Sequence, residues 1–444
     1  MKDSGNRWIG KIPESWESMR VRHVIKSDAD GIRVGPFGSS LKEAILEDGI
    51  SDYKVYGQAN LIRHNFEYGD NYVTEKDFRR LKNYEIKAGD VLLSMMGTIG
   101  KCSVVPNEIK TGIMDSHLIK IRLDDTVNPA FFEYVYEHSG VVYEQLVLGS
   151  NGSTMNGLNS TIVKNTYIPV PPLSEQHVIA AYLDRKCGQI DDIIADLQRQ
   201  IARLESYKKS LISETVTKGL NPDVPMKDSG IEWIGQIPEH WDSKKIRYLG
   251  SLQNGISKDA ASFGSGYPFL SYGNVYNNDV LPNNPEGLIE STRYERKLFS
   301  VECGDVFFTR TSETAEEIGF ASTCLEKVED AVFAGFLIRF RPWTSLLIPE
   351  YSRFYFRSEI LRKYFVKEMM VVTRASLGQN LLKNLPVLLP PVQEQKQLAT
   401  YLDRKCAEID TILDDKRRQV ENMKNHRKSV IYEYVTGKKR VKEV

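Results

Sequence analysis

Cysteine is scarce in this chain and never clustered. The five residues, at 102, 187, 303, 324 and 406, form no Cys-x-x-Cys pair and no Cys/His group at metal-ligand spacing. That excludes a disulfide framework and argues against a structural zinc site. No apolar run nears the roughly 18 residues that a membrane helix requires. The opening MKDSGNRW also lacks the apolar stretch of a signal peptide, so the expected compartment is the cytoplasm. Net charge is missing too, because 59 Lys and Arg balance 59 Asp and Glu. Global charge therefore gives no support to nucleic-acid binding, and any basic surface must be local. Catalytic motifs are absent as well. There is no Asn/Asp-Pro-Pro-Tyr/Phe run of the kind that holds an extruded adenine, and no Gly-rich strand-turn-helix fingerprint for a nucleotide-like cofactor. Gly97-Thr-Ile-Gly100 is too short for a phosphate loop and reads as a tight turn. His117 lies beside Asp115 and Ser116, but adjacency along the chain is not triad geometry. Neither a catalytic residue nor a metal ligand set is expected.

What the chain does have is an internal copy of itself. Residues 1–18, MKDSGNRWIGKIPESWES, return at 226–243 as MKDSGIEWIGQIPEHWDS, identical at 13 of 18 positions. Tyr182-Leu-Asp-Arg-Lys-Cys187 recurs unchanged as Tyr401-Leu-Asp-Arg-Lys-Cys406, each copy following a Pro-Pro pair and then Glu175-Gln176 or Glu394-Gln395. Solenoid repeats run roughly 20 to 50 residues, so units of this length are duplicated domains. Between the ends only a skeleton stays in register. It pairs Gly89-Asp90-Val91 with Gly304-Asp305-Val306, Tyr56-Gly57 with Tyr272-Gly273, Leu118-Ile119 with Leu337-Ile338, and Leu158 with Leu377. One scaffold used twice with different contents fits two units that bind different things.

After each Pro-Pro pair comes a heptad seam. Leu183, Cys187, Ile190, Ile194, Leu197, Ile201, Leu204 and Leu211 step by threes and fours, with Lys208 in one seam position. Leu402, Cys406, Ile409, Leu413, Val420, Met423 and Val430 repeat the register, interrupted by Lys416 and Arg427. The bracketing prolines and the later Gly219 and Gly437 predict two helices of about 40 residues, roughly 60 Å long. Their stripes serve helix packing or partner docking. Two such stripes are most simply buried against each other, in antiparallel fashion with a pseudo-twofold axis, and pairing between chains is the alternative. The domains expected are 1–172 and 221–391, followed by spacer helices at 173–220 and 392–440.

The globular parts read as α/β-mixed. Candidate strands are Val91–Ser94, Leu118–Arg122, Val306–Thr309 and Phe336–Phe340, and helices are predicted over Pro129–Gln145 and Pro349–Lys367. Trp8, Trp16, Trp233 and Trp241 all lie in the end repeat, which marks them as hydrophobic clamps rather than stacking platforms. Polar loops offer groove-reading side chains. In the first unit these are Ser39, Ser40, Lys42, Gln58, Asn60, Asn151, Ser153 and Thr154. In the second they are Asn274, Arg310, Thr311, Ser312, Arg374 and Ser376.

The doubled end repeat, Pro171-Pro-Leu-Ser-Glu-Gln176 with its partner Pro390-Pro-Val-Gln-Glu-Gln395, and the paired hexapeptides resemble the specificity subunit of a Type I restriction-modification system over essentially the whole chain. The second copy departs slightly, with Gln393 where the first has Ser174. The resemblance implies a DNA-recognition subunit whose two target recognition domains read the halves of a split double-stranded site. Their helices would act as a spacer and dock two methyltransferase subunits, with restriction/translocase subunits in the full complex. S-adenosylmethionine, ATP and Mg would then belong to those partners and not to this chain. A structural adaptor that never touches DNA is the competing reading, which the zero net charge favours slightly.

Overall fold

Gly89 and Gly304 hold φ at 81° and 92°, a region that costs glycine nothing, and each turns the chain into an aspartate that starts a strand. Asp90 accepts from the amide of Lys87, and Asp305 from that of Glu302. Each then meets an arginine on the neighbouring strand: Arg122 Nε lies 2.7 Å from Asp90 Oδ1, and Arg341 Nε lies 2.7 Å from Asp305 Oδ1. One turn therefore opens the same sheet twice. The computed structural model describes residues 1–27, 30–45, 51–150, 158–311, 318–343, 345–369 and 377–441.

The chain divides into two compact units, Met1–Gln198 with Arg418–Val444, and Arg199–Arg417. The first unit carries strands β1 (Ile32–Val34), β2 (Tyr53–Tyr56), β3 (Tyr72–Val73), β4 (Val91–Ser94), β5 (Cys102–Val104), β6 (Gly112–Met114) and β7 (Leu118–Ile121). They form an antiparallel four-stranded sheet ordered β1-β7-β4-β5 and a three-stranded sheet ordered β3-β2-β6, in which β2 and β6 run parallel. The second unit repeats this with β8 (Gly250–Asn254), β9 (Phe263–Leu270), β10 (Gly287–Ile289), β11 (Val306–Thr309), β12 (Ala321–Thr323), β13 (Val332–Phe333) and β14 (Leu337–Pro342). The orders β8-β14-β11-β12 and β10-β9-β13, again with one parallel pair, match the first unit strand for strand.

Two predicted helices are each broken. Pro129–Gln145 becomes α1 (Pro129–Glu133), a π turn at Tyr134–His138 and a separate helix, Tyr143–Ser150. Ser139 Oγ donates back to the Val135 carbonyl and Gly140 takes φ 76°, so the chain turns instead of continuing. Pro349–Lys367 becomes α2 (Pro349–Arg357) and α3 (Glu359–Met369), parted at Ser358, whose backbone is extended and whose hydroxyl bonds the Tyr355 carbonyl. The register of one skeleton pair also shifts. Asp115 N bonds the Tyr56 carbonyl as Ala334 N bonds that of Leu270, so Tyr56 matches Leu270 and not Tyr272.

The long helices run Leu173–Lys218 (α4) and Val392–Val435 (α5). Within the first unit Tyr182 meets Tyr434 and Asp191 meets Arg427. Within the second, Glu205 meets Arg417 and Lys208 meets Asp410. The numbers rise on one helix as they fall on the other, so the pairing is antiparallel in each unit. Leu183, Ile190, Leu197, Leu402, Ile409, Leu413 and Val420 are buried along it, while Ile194, Ile201, Leu204 and Met423 are half-buried. The polar seam positions Lys208 and Arg427 are filled by ion pairs.

The end repeat clamps each globular part to its helix. Trp16 and Trp241 are fully buried, and their indole N–H groups donate to Glu175 and Glu394 at 2.9 and 3.1 Å. Burying about 200 Å² of tryptophan at ~25 cal/mol/Å² contributes about 5 kcal/mol before entropy is counted. The neighbouring glutamines are fully buried as well. Gln176 accepts from Asn128 N and donates to the carbonyls of Thr126 and Pro171, and Gln395 accepts from Ile348 N and donates to those of Leu346 and Pro390. The Glu-Gln pair is thus a joint between helix and domain.

Candidate nucleic-acid interface

The divergent residues gather at one end of the central strand pair. In the first unit β4 leaves through Ser94-Met95-Met96 and β7 enters through Asp115-Ser116-His117, tied by Met95 N to the His117 carbonyl at 2.9 Å. Two glycines let the loops close on this point. A Cβ on Gly35 would fall inside the Asp115 carbonyl, and one on Gly57 would sit 2.7 Å from Asp115 Oδ2. Gln58 spans the rim, its Nε2 2.6 Å from both Ser94 Oγ and the Met96 carbonyl, and Ser94 Oγ lies 2.7 Å from Thr98 Oγ1. Burial pushes the Asp115 carboxyl up from its ordinary range, opposed by the His117 amide at 2.8 Å and by the imidazole. Exposed Phe37, Met96 and His117 complete the edge.

The second unit builds the same rim from other side chains. Arg310 N bonds the Phe336 carbonyl at 2.9 Å, and Leu377 N bonds Arg310 O as Leu158 N bonds Met95 O. A Cβ on Gly255 would meet the Ala334 carbonyl, the counterpart of Gly35 against Asp115. Position by position, Gln58 is replaced by Tyr272, Ser94 by Thr309, Met95 by Arg310, Met96 by Thr311, Asp115 by Ala334 and His117 by Phe336. Tyr272 Oη donates to the Thr311 carbonyl at 2.9 Å, and Phe336 is 63% exposed. A hydrogen-bonding rim in one unit is an aromatic and basic rim in the other.

Ser39, Ser40 and Lys42 lie on a short helix, Gly38–Lys42, beside the first rim, with Ser39 and Lys42 exposed and Ser40 half-buried. Gln58 is on the rim itself. Asn60 is not available for contact: it is 4% exposed, and its Oδ1 accepts from Gly57 N while its Nδ2 donates to the carbonyls of Asn65 and Tyr68. Asn274 does the equivalent work, accepting from Ser271 N and Oγ at the start of the helix Tyr272–Tyr276. Both asparagines close capping boxes on Gly57 and Ser271, and the burial of Asn60, with its amide fully used, takes it out of the groove-reading set. Arg310 is half-buried and Thr311 exposed on the second rim. Asn151, Ser153, Thr154, Ser312, Arg374 and Ser376 lie outside the described residues.

A family described as the Type I restriction modification DNA specificity domain matches residues 38–203 and again 238–422. The chain belongs to that family. The EcoKI specificity subunit of Escherichia coli K12 is 25% identical over 96% of this chain and 90% of its own length. The putative MjaX specificity subunit of Methanocaldococcus jannaschii is also 25% identical, over 98% and 96%. Among solved structures, the HsdS subunit of Thermoanaerobacter tengcongensis superposes with a TM-score of 0.54 at 16% identity, covering 96% of this chain and 98% of that one. A chain from a type I R-M system reaches 0.71 at 15% identity over the same shares.

In this specificity chain, several rim features were missed from sequence: the exposed Phe37, the pairs Asp115/Ala334 and His117/Phe336, Tyr272, and the glycines that force the loops together. Gly35 and Gly255 precede their strand partners at equivalent points, and that coincidence was the available signal. No helix among the described residues is long and apolar enough to cross a membrane.

Proposed function

We propose that this chain reads a bipartite double-stranded DNA site, each unit recognising one half through its strand-end rim. The observation that carries the reading is the substitution pattern. The two units share one strand order, yet four of the six paired rim positions (Met95/Arg310, Met96/Thr311, Asp115/Ala334 and His117/Phe336) differ in hydrogen-bonding character, as expected if two unlike sequences are read by one frame. Ser39, Ser40, Lys42, Gln58 and His117 would face the first half-site, and Arg310, Thr311 and Phe336 the second. Arginine and glutamine suit bidentate contacts to guanine and adenine edges, while serine and lysine also hold phosphates. The antiparallel helices would set the spacing between half-sites and dock two methyltransferase subunits, with restriction/translocase subunits joining the assembly. S-adenosylmethionine, ATP and Mg would be held by those partners, and this chain would do no chemistry itself.

The test co-expresses the chain with its methyltransferase partner and maps methylated adenines by single-molecule sequencing. A split motif with a fixed unspecified spacer is expected, and replacing residues 221–391 with a relative's segment should change one half only. A change in both halves would refute the modular reading. The competing adaptor reading predicts no DNA binding, whereas a reader that neutralises Z phosphates loses affinity with a log-log salt slope near −0.9Z.

A further inference from the structure

The joint between the short helix that follows β2 and the helix α1 is built from opposite chemistry in the two units. In the second unit it is an arginine: Arg357 donates from Nη1 to the carbonyls of Val275 and Ala321 and from Nη2 to that of Tyr276. The corresponding position in the first unit, counted from the helix-starting prolines 129 and 349, is Glu137. Its carboxylate accepts from the amide of Cys102 on edge strand β5 at 2.7 Å, and Glu133 accepts from Val104 N at 3.2 Å. Two histidines stand beside this carboxylate. His64 Nε2 and His138 Nδ1 each lie 3.9 Å from Glu137 Oε1. One ligand atom from each of His64, Glu137 and His138 lies within 4.8 Å of the others.

We propose that His64, Glu137 and His138 form a binding site for a divalent d-block cation of the zinc type. Two imidazole nitrogens and one carboxylate are a borderline-soft donor set that selects such ions over magnesium or calcium. The surroundings fit the role. His64 Nδ1 is 3.3 Å from Glu133 Oε1 and 3.1 Å from Ser103 Oγ, so its other nitrogen carries a second hydrogen-bonding shell while Nε2 turns to the site. Glu137 is fixed from behind by the Cys102 amide. His64 also sits at φ 47°, and Glu137 and His138 close a π turn; both put ligand side chains where regular backbone would not. Three protein ligands leave a fourth position to water. The competitor is Lys101, whose Nζ lies 2.6 Å from Glu137 Oε1 on a flexible stem that is 43% exposed. The cation must displace this ammonium, and His64 must give up its proton to the solvent on binding. Arg427 also faces His138, while the Cys102 thiol is buried beside Glu133. A bound ion would staple the short helix, β5 and α1 together in the first unit, as Arg357 does permanently in the second.

The intact chain is stripped with chelator and titrated with Co²⁺, followed by its visible ligand-field absorption, and with Zn²⁺ in competition. One site per chain is expected, with nitrogen-ligand bands that Zn²⁺ bleaches. His64→Ala, on an exposed side chain that the fold can lose, should weaken binding at least tenfold while leaving the circular dichroism unchanged. Lys101→Gln should tighten it severalfold by removing the competing ammonium. Absence of Co²⁺ bands in the wild-type chain, or binding that survives His64→Ala and His138→Ala together, would overturn the assignment. Neither result bears on DNA reading, which is scored separately by the methylation map.

Discussion

Replacing Gln395 with alanine strikes the second unit at the point where domain meets helix. The amide is fully buried and makes three hydrogen bonds, from Ile348 N at 3.0 Å and to the carbonyls of Leu346 and Pro390 at 2.7 and 2.8 Å. Each is worth about 0.5–1.5 kcal/mol net, and the orphaned Ile348 N–H adds its desolvation cost, so Gln395→Ala should lose about 3–5 kcal/mol. Gln395→Glu sharpens the argument. It sets a carboxylate oxygen against two carbonyls that had a donor, and protonation would restore one donor, so the folded-state pKa must lie above that of the unfolded chain. A group raised in this way binds more protons when folded, and the variant should regain stability relative to wild type as pH falls. Urea unfolding followed by circular dichroism measures both variants, and hydrogen exchange at the Ile348 amide reports the local loss. Gln176→Ala, with the same three bonds in the first unit, should cost as much. A loss below about 1 kcal/mol at either glutamine would show that the joint is not held by these amides, and a Gln395→Glu penalty that grows on acidification would refute the sign.

Two further expectations concern charged pairs. Hydrogen bonds to Glu133 and then Glu137 raise the His64 imidazole to about 9, from an ordinary value near 6.5. A raised folded-state pKa gives stability that is full below pH 6.5 and is lost as pH climbs through about 9. In chelator-treated protein, wild type should therefore soften over that window while His64→Ala stays flat, and parallel pH profiles by thermal unfolding would contradict it. In the second unit Asp305 has no exposed side-chain surface and is held by a two-pronged Arg341, with Nη2 2.6 Å from Oδ2. Arg341→Ala leaves a buried carboxylate without its partner and should cost about 3 kcal/mol, visible as a lowered melting temperature. An unchanged melting temperature would mean that the carboxylate finds another donor.

Much of the frame was legible because repetition fixes a register that periodicity alone does not. The heptad stripes gave both long helices, and the Gly-Asp turns gave β4 and β11 to the residue, since a positive-φ glycine before an apolar run has few other uses. The broken helices were not legible. Aromatics at spacings of three and four run unbroken through 129–145 and 349–367, and the backbone departs where the hydroxyls of Ser139 and Ser358 bond back to the preceding turn, with Gly140 at positive φ completing the first break.

The rims were legible only in part, for a reason the two asparagines make plain. Asn60 and Asn274 look like groove readers because they are polar residues in short loops between apolar runs, but Asn60 spends its whole amide on the backbone and Asn274 spends its carbonyl oxygen on Ser271. The same comparison separates two kinds of divergence. Where His117 gives way to Phe336, the side chain is exposed and the scaffold beneath is identical, so the change is free to serve recognition. Where Glu137 gives way to Arg357, the group is enclosed and its partners differ with it: carbonyls replace the strand amide, and His64 and His138 stand beside the carboxylate. Coordinated change around an enclosed charge is hard to produce by drift alone, because an unpaired buried ion costs several kcal/mol at each intermediate step. The first unit's joint therefore reads as an alternative solution with chemistry of its own, and the metal titration addresses it directly.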